Sequence, residues 1–447
     1  MNDIAGIPYV RAPFEFDGRL LAPVSVPAGT TDVIVMSHGW NNNEADAEAL
    51  YQRLFESFTQ VGAPNDLAGR TLAVVGVIWP SKRFDEMVAS VADQEGTEGG
   101  ASFGGASSND AESQRMLEEK LTSMEALFAS PDQRAAIGEM RALIRDLEDQ
   151  ATARRAFMDR LRSLVDPSNA DGEDASTLFF KQDGNEILKS LKIEADNLDD
   201  ALASTTSAVA GGAQPLDLGA VPATATTAEG SAGFMSFLSG FKSAAMNALN
   251  FTTYYEMKSR AGTVGKNGVA PLIDELAKTV DRIHLIGHSF GGRVVTSAAA
   301  NSTTDKIRSM SLLQTAFSHN GFSRSMKGFF RNVVDTNRVH GPIIVTHTPN
   351  DKAVGIAYPL ASRLAQQTAA KLGDANDKYG GLGRNGAQQM EAGEVDATIT
   401  KLLGADATYR FTANKFFNLE ASPFIKGHSD ITGKEVARAV RQAIASA

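Results

Sequence analysis

The stretch RIHLIGHSFGGRVV, residues 282 to 295, constrains the fold more than any other. Ile283, Leu285 and Ile286 make a short apolar run. Gly287-His288-Ser289-Phe290-Gly291-Gly292 follows, and Val294 and Val295 then fall at helical positions. A buried strand that turns into a helix within so few residues brings backbone segments very close together. The glycines at 287 and 291 suit that crowding, because they carry no side chain. The pattern G-x-S-x-G in this strand-to-helix setting marks Ser289 as a candidate nucleophile. It would sit at a helix start, where partial positive charge favours developing negative charge. The alternative is a capping serine in an ordinary glycine-rich turn.

Much of the chain repeats this strand–helix grammar. TDVIVMSHG (31–39) and TLAVVGVIWP (71–80) are continuous apolar runs, as expected for strands buried on both faces. Between them Ala45, Leu50, Leu54 and Phe58 are spaced like one face of a helix. From about residue 265 the alternation returns. It reads as a helix over 268–280, strands over 282–287, 307–317 and 341–348, a helix over 355–367, a strand over 407–413 and a last helix from Thr432. Thr432 and Glu435 fit a T-x-x-E capping box, with Val436, Val440 and Ile444 as the inner stripe. Alternating β and α predicts an α/β fold, a doubly wound and mostly parallel sheet with helices on both faces.

Residues 81–264 break the rhythm. Leu117, Leu121, Met124 and Phe128 recur at helical spacing, as do Met140, Leu143, Ile144 and Leu147, and then Phe157, Leu161 and Leu164. The expected division is a core of 1–80 plus 265–447 and a helical insertion at 81–264. Within it, 204–233 reads as a flexible linker rich in Ala, Thr, Gly and Pro. The apolar segment 233–251 places Phe234, Leu238, Phe241, Ala245 and Leu249 on one helical stripe, broadened by Phe237 and Met246. It reads either as a core helix of the insert or as a lid over an acyl pocket. Tyr254 and Tyr255, just beyond, are candidate substrate-binding hydroxyls, with buried packing as the alternative.

Composition removes several classes of function. The 447 residues are 43% hydrophobic and 21% charged, enough for a large core. The net charge of −10 gives no electrostatic case for nucleic-acid binding. There is no cysteine, so disulfides, thiolate catalysis and cysteine metal sites are excluded. No metal-ligand cluster stands out, and the expectation is that no cofactor is needed. Gly381, Gly383 and Gly386 spell G-x-G-x-x-G, but without a preceding strand, so a loop is expected. The N-terminal stretch lacks the pattern of a secretory signal, and no 18-residue apolar run is present. The expectation is a cytoplasmic protein without a stable membrane span. Export that needs no cleaved signal is the alternative.

A serine hydroxyl needs a base, a group to orient that base, and donors for the resulting oxyanion. Of seven histidines, His428 is placed best, on a loop between the last strand and the last helix. Active sites of doubly wound sheets lie at that carboxyl edge. His319, His340 and His347 are weaker options. His284 lies in a strand. The acid should lie on a strand-exit loop between Ser289 and His428. Asp351 in PNDKAVG fits, with Asp335, Asp374 and Asp377 as alternatives. The backbone N–H groups of Phe290 and Trp40 are the candidate oxyanion donors. His38, Gly39, Asn41 and His288 complete the expected substrate-binding surroundings.

With these residues in view, the chain resembles the α/β-hydrolase superfamily over roughly 31–80 and 265–447. SHGWNNN, VIWPS and GHSFGG resemble the motifs of a bacterial group of serine hydrolases. The resemblance implies an eight-stranded, mostly parallel sheet and acyl transfer through an acyl-enzyme. It also implies the chain order Ser, Asp, His for the triad. The implied activity is carboxylic-ester hydrolysis, of the esterase or lipase type. Two further expectations stand beside it. One is a lipase or phospholipase making transient contact with lipid surfaces, such as a secreted effector. The other is a non-catalytic interaction protein on the same fold.

Overall fold

The computed structural model describes residues 2–40, 42–62, 66–81, 106–170, 174, 176–192, 240–351 and 378–447. Eight strands form one sheet: β1 (Asn2–Ile4), β2 (Ile7–Pro13), β3 (Asp32–Ser37), β4 (Leu72–Ile78), β5 (Arg282–His288), β6 (Ile307–Leu313), β7 (Ile343–His347) and β8 (Phe416–Glu420). Their order is β1-β2-β4-β3-β5-β6-β7-β8. All neighbours pair in parallel except β1 with β2.

The continuous apolar runs have a direct cause. Val33 and Val35 of β3 enter one apolar layer, while Ile34 and Met36 enter the other. With both faces covered, every position along the strand must be apolar. One cover includes α1 (Glu44–Gln60) and the C-terminal helix, Lys434–Ala445. The opposite cover includes Phe290–Asn301, the helix that follows β5. This is an α/β architecture.

Between β4 and β5 the described chain is helical. α2 (Ala106–Glu125), α3 (Pro131–Leu143), α4 (Ala151–Arg162), α5 (Ser176–Lys181) and α6 (Gly184–Leu191) precede the long α7 (Gly240–Val264). Leu117, Leu121, Met124, Phe128, Met140, Ile144, Leu147, Phe157, Leu161 and Leu164 are buried, as their spacing requires, while Leu143 is only partly so. α7 continues through a π-turn, Gly265–Val269, into α8 (Ala270–Leu276). Pro271 sits in the first turn of α8, where no amide donor is needed. The stretch from Thr252 to Val264 is helical. On the described part of the 233–251 stripe, Ala245 and Leu249 are fully buried, and Phe241 and Met246 pack partly against the same core. Residues 233–239, the 204–233 stretch and the helix expected over 355–367 lie outside the described residues.

The remaining helices are α9 (Phe290–Asn301), α10 (Arg331–Asp335), α11 (Leu382–Asn385) and α12 (Lys434–Ala445). Three expectations change. The last strand is Phe416–Glu420, not 407–413. Tyr409 and Phe411 are buried and stacked, and Phe411 packs edge-on to Phe417, but 407–413 has no ladder partner. α12 starts at Lys434 with Gly433 as its N-cap and no side-chain cap, so Thr432 and Glu435 form no capping box. Instead the Thr432 carbonyl accepts a hydrogen bond from Ser57 Oγ on α1. On α1 the buried alanine is Ala47, and Ala45 is exposed.

Candidate active site

β4 lies on one side of β3 and β5 on the other, so strand order reverses at β3. Crevices at such switch points, beyond the carboxyl ends of the strands, are where doubly wound sheets bind ligands. The loop after β3 and the turn after β5 meet there. A Cβ on Gly39 would lie 2.6 Å from Ser289 Cβ, so only glycine permits this approach. A Cβ on Gly291 would overlap the carbonyl oxygen of Ser37, which fixes how tightly α9 sits on β3.

Ser289 is the N-cap of α9, with φ 55° and ψ −126°. Few residues with a side chain hold such a conformation, and it is stored strain that the surrounding packing must hold in place. The packing is visible in the bonds. Ser289 N–H donates to Leu313 O (3.1 Å), and Ser289 O accepts from Gly292 and Ala316 (3.0 and 3.1 Å). Phe290 is the first residue of α9, so its N–H has no acceptor within the helix.

Asp351 and His428 meet at the same rim. Asp351 lies just past β7 and is fully buried. Its Oδ2 is 2.9 Å from His428 Nδ1. A carboxylate only accepts, so Nδ1 carries the proton and Nε2 is left as the basic atom. Asn350 ties the two loops together, donating to Ile425 O (3.0 Å) and Ser422 O (3.4 Å).

The Asp351–His428 arm is thus closed, whereas the His428–Ser289 arm is not. Ser289 Oγ and His428 Nε2 are both buried, and neither has a hydrogen-bond partner among the described residues. Bonds of this kind commonly tighten only with substrate in place.

Two residues that steady this arrangement were not assigned that role from sequence. Gln314, at φ 44°, donates from Nε2 to Asp351 Oδ2 (3.2 Å) and Gly383 O (2.9 Å). No sequence motif marks it, because the contact is set by the β6 exit. His288 was expected among substrate-binding groups, but its Nε2 donates to the carbonyl of His428 at 3.0 Å. Its ring lies 5.0 Å from that of His428. It is a positioning residue. Burial, and then the neighbouring His428, push its pKa down to about 3, so it stays neutral.

The other expected residues divide. His38 is fully buried and stacks on Trp79, its Nδ1 is 2.8 Å from Gly39 O, and its Nε2 accepts from Trp79 N–H (3.3 Å). Burial lowers its pKa to about 4. It shapes the loop from beneath rather than facing a ligand. Trp40 is buried against Phe290, and its indole Nε1 has no partner among the described residues. Tyr254 packs on Phe290. The hydroxyl of Tyr255 donates to Asp166 O (2.7 Å), which turns it into the helical layer rather than the crevice. Asn41 lies outside the described residues, as do Asp374 and Asp377.

The remaining alternatives are occupied elsewhere. Asp335 pairs with Arg324 and Arg331. His319 Nδ1 meets Asn385 at 3.1 Å. His284 bridges Ser309 and Asp32 inside the sheet. Gly381 is the N-cap of the short α11, Gly383 lies within it and Gly386 is its C-cap, so a short helix opens where a loop was expected. Among the described residues no group of three or more His, Asp or Glu is arranged to hold a metal ion, and no helix is long and apolar enough to cross a membrane.

Comparisons with protein-family models, curated proteins and solved structures each returned no match.

Proposed function

We propose that the protein is a serine hydrolase of the α/β-hydrolase type that cleaves carboxylic esters through an acyl-enzyme. One observation carries the reading. A strained serine and an aspartate-oriented histidine share one rim, and their reactive atoms, Ser289 Oγ and His428 Nε2, are both buried and without partners among the described residues. Buried polar atoms are normally satisfied. A donor and an acceptor left open together are matched to a reacting group between them.

In this reading Ser289 Oγ attacks the ester carbonyl while His428 Nε2 takes the hydroxyl proton. Asp351 accepts from Nδ1–H and stabilises the imidazolium. The N–H groups of Phe290 and Trp40 hold the oxyanion. Collapse expels the alcohol, which takes the proton from His428. Water, deprotonated by the same nitrogen, then hydrolyses the acyl-enzyme and restores the serine. Residues 1–80 and 265–447 form the hydrolase core in this proposal, and 81–264 an inserted helical subdomain. The described part of the apolar 233–251 segment packs into the core, which supports reading it as a core helix of the insert.

The test combines a fluorophosphonate probe with p-nitrophenyl esters of graded chain length. Wild type should label and turn over, and Ser289→Ala should do neither. Unchanged turnover in Ser289→Ala sinks the proposal.

A further inference from the structure

A cavity of about 390 Å³ opens between α7, the π-turn after it and α9. That volume is within the range of small-molecule sites. Ser289, Asp351 and His428 do not line it. Arg293, one turn along α9 from Ser289, does, and it is only 3% exposed. Its Nε donates to Lys258 O at 3.0 Å. Its guanidinium carbon stands 4.8 Å and 5.2 Å from the ring centres of Phe329 and Phe330. Its Nη1 is buried and has no hydrogen-bond partner among the described residues.

The charge balance is the decisive point. An arginine stays ionised at any working pH, and a buried cation without a counter-charge is strongly disfavoured. Two other cations line the same cavity, Lys258 and Lys266. Lys258 is matched by Asp174, Nζ to Oδ2 at 2.7 Å. No carboxylate forms an ion pair with Arg293 or Lys266 among the described residues. The cavity therefore holds a desolvated guanidinium edge and a flexible ammonium at its rim, both lacking anionic partners. Phe329, 52% exposed, adds an apolar wall.

We infer that this cavity binds a small ligand through an oxyanion group, phosphoryl or carboxylate, held on Arg293 Nη1 with Lys266 at the rim. The inference does not rest on the hydrolase reading. Arginine presents donors in the fork geometry that such oxygens accept.

Isothermal titration of the full chain with inorganic phosphate, and separately with acetate, tests it. Saturable binding of at least one anion at millimolar concentration is expected. Phosphate alone binding would mark a phosphoryl ligand, and acetate alone a carboxylate. Arg293→Met should weaken that binding by about tenfold or more, the loss of one charge-assisted contact. Lys266→Gln, at an exposed position, should weaken it by roughly threefold. If Arg293→Met does not fold, Arg293→Lys replaces it, keeping the charge but losing the fork. Absence of saturable binding by wild type overturns the site. So does unchanged affinity in both the Arg293 variant that folds and Lys266→Gln.

Discussion

Ser289 Oγ makes no hydrogen bond among the described residues, so removing it forfeits none of theirs. Ser289→Ala should therefore change unfolding free energy by less than about 1 kcal/mol. If the proposed mechanism holds, the same change should lower ester kcat/KM by about 10⁴-fold or more, and Asp351→Asn by roughly 10³- to 10⁴-fold. Full activity in either variant refutes the assigned role. The histidines make a second prediction. His38 and His288 have folded pKa values of about 4 and about 3, against an ordinary 6.5, because burial disfavours the charged ring. Above pH 6.5 both are neutral folded or unfolded and add no pH dependence. Below it, the unfolded chain takes up protons that the folded chain refuses. Stability should then fall as pH drops toward the folded values, by up to about 1.4 kcal/mol per pH unit for each ring. Urea unfolding between about pH 6.5 and 4.5 measures this slope. A flat profile would show that these rings are not held neutral. The positions of Ser289, Asp351 and His428 beyond strand ends, and the meeting of the last two, were legible in the sequence because apolar strand runs end just before the loops that carry them. The supporting roles of Gln314 and His288 were not, since each depends on a contact between separate loops.

At the scale of elements, the junction of β5 with α9 is governed by backbone proximity. A methyl group at 291 would meet the Ser37 and His38 carbonyls, which are backbone and cannot swing aside. Gly291→Ala should cost about 1–3 kcal/mol and loosen the turn that holds Ser289. A thermal midpoint equal to wild type would contradict this. The two strand-like segments near the C-terminus show where pattern reading fails. In 407–413, Tyr409 and Phe411 alternate with exposed Thr408, Arg410 and Thr412, the signature of a half-buried strand. The alternation reports burial correctly, yet the ladder with β7 is made by Phe416–Glu420, which carries Asn418 and Glu420. Side-chain period records which face is dry, not which backbone is paired. The expected cap at Thr432 failed for a related reason. Its carbonyl is recruited by Ser57, and the helix starts one residue after Gly433 instead. The buried stripes of α2, α3 and α4 were legible because a 3.6-residue period leaves no competing strand reading over such lengths.

Across the whole molecule, the helical segments between β4 and β5 are held to one another partly by charge. Lys258 on α7 and Asp174 are both at least 95% buried and joined at 2.7 Å. Asp174→Ala leaves a buried ammonium without its partner and should cost about 3–5 kcal/mol. Adding Lys258→Met should recover much of that loss. Chemical denaturation of the single and double variants decides the point, and equal stability of wild type and Asp174→Ala would remove the pair from the account. The positive φ of Ser289 has a consequence at this scale too. Glycine is the residue most at ease there, so Ser289→Gly should be the more heat-resistant replacement, ahead of alanine. A library of this chain screened for survival at high temperature, with no demand for turnover, should drift to glycine at 289 and return sturdy, silent proteins.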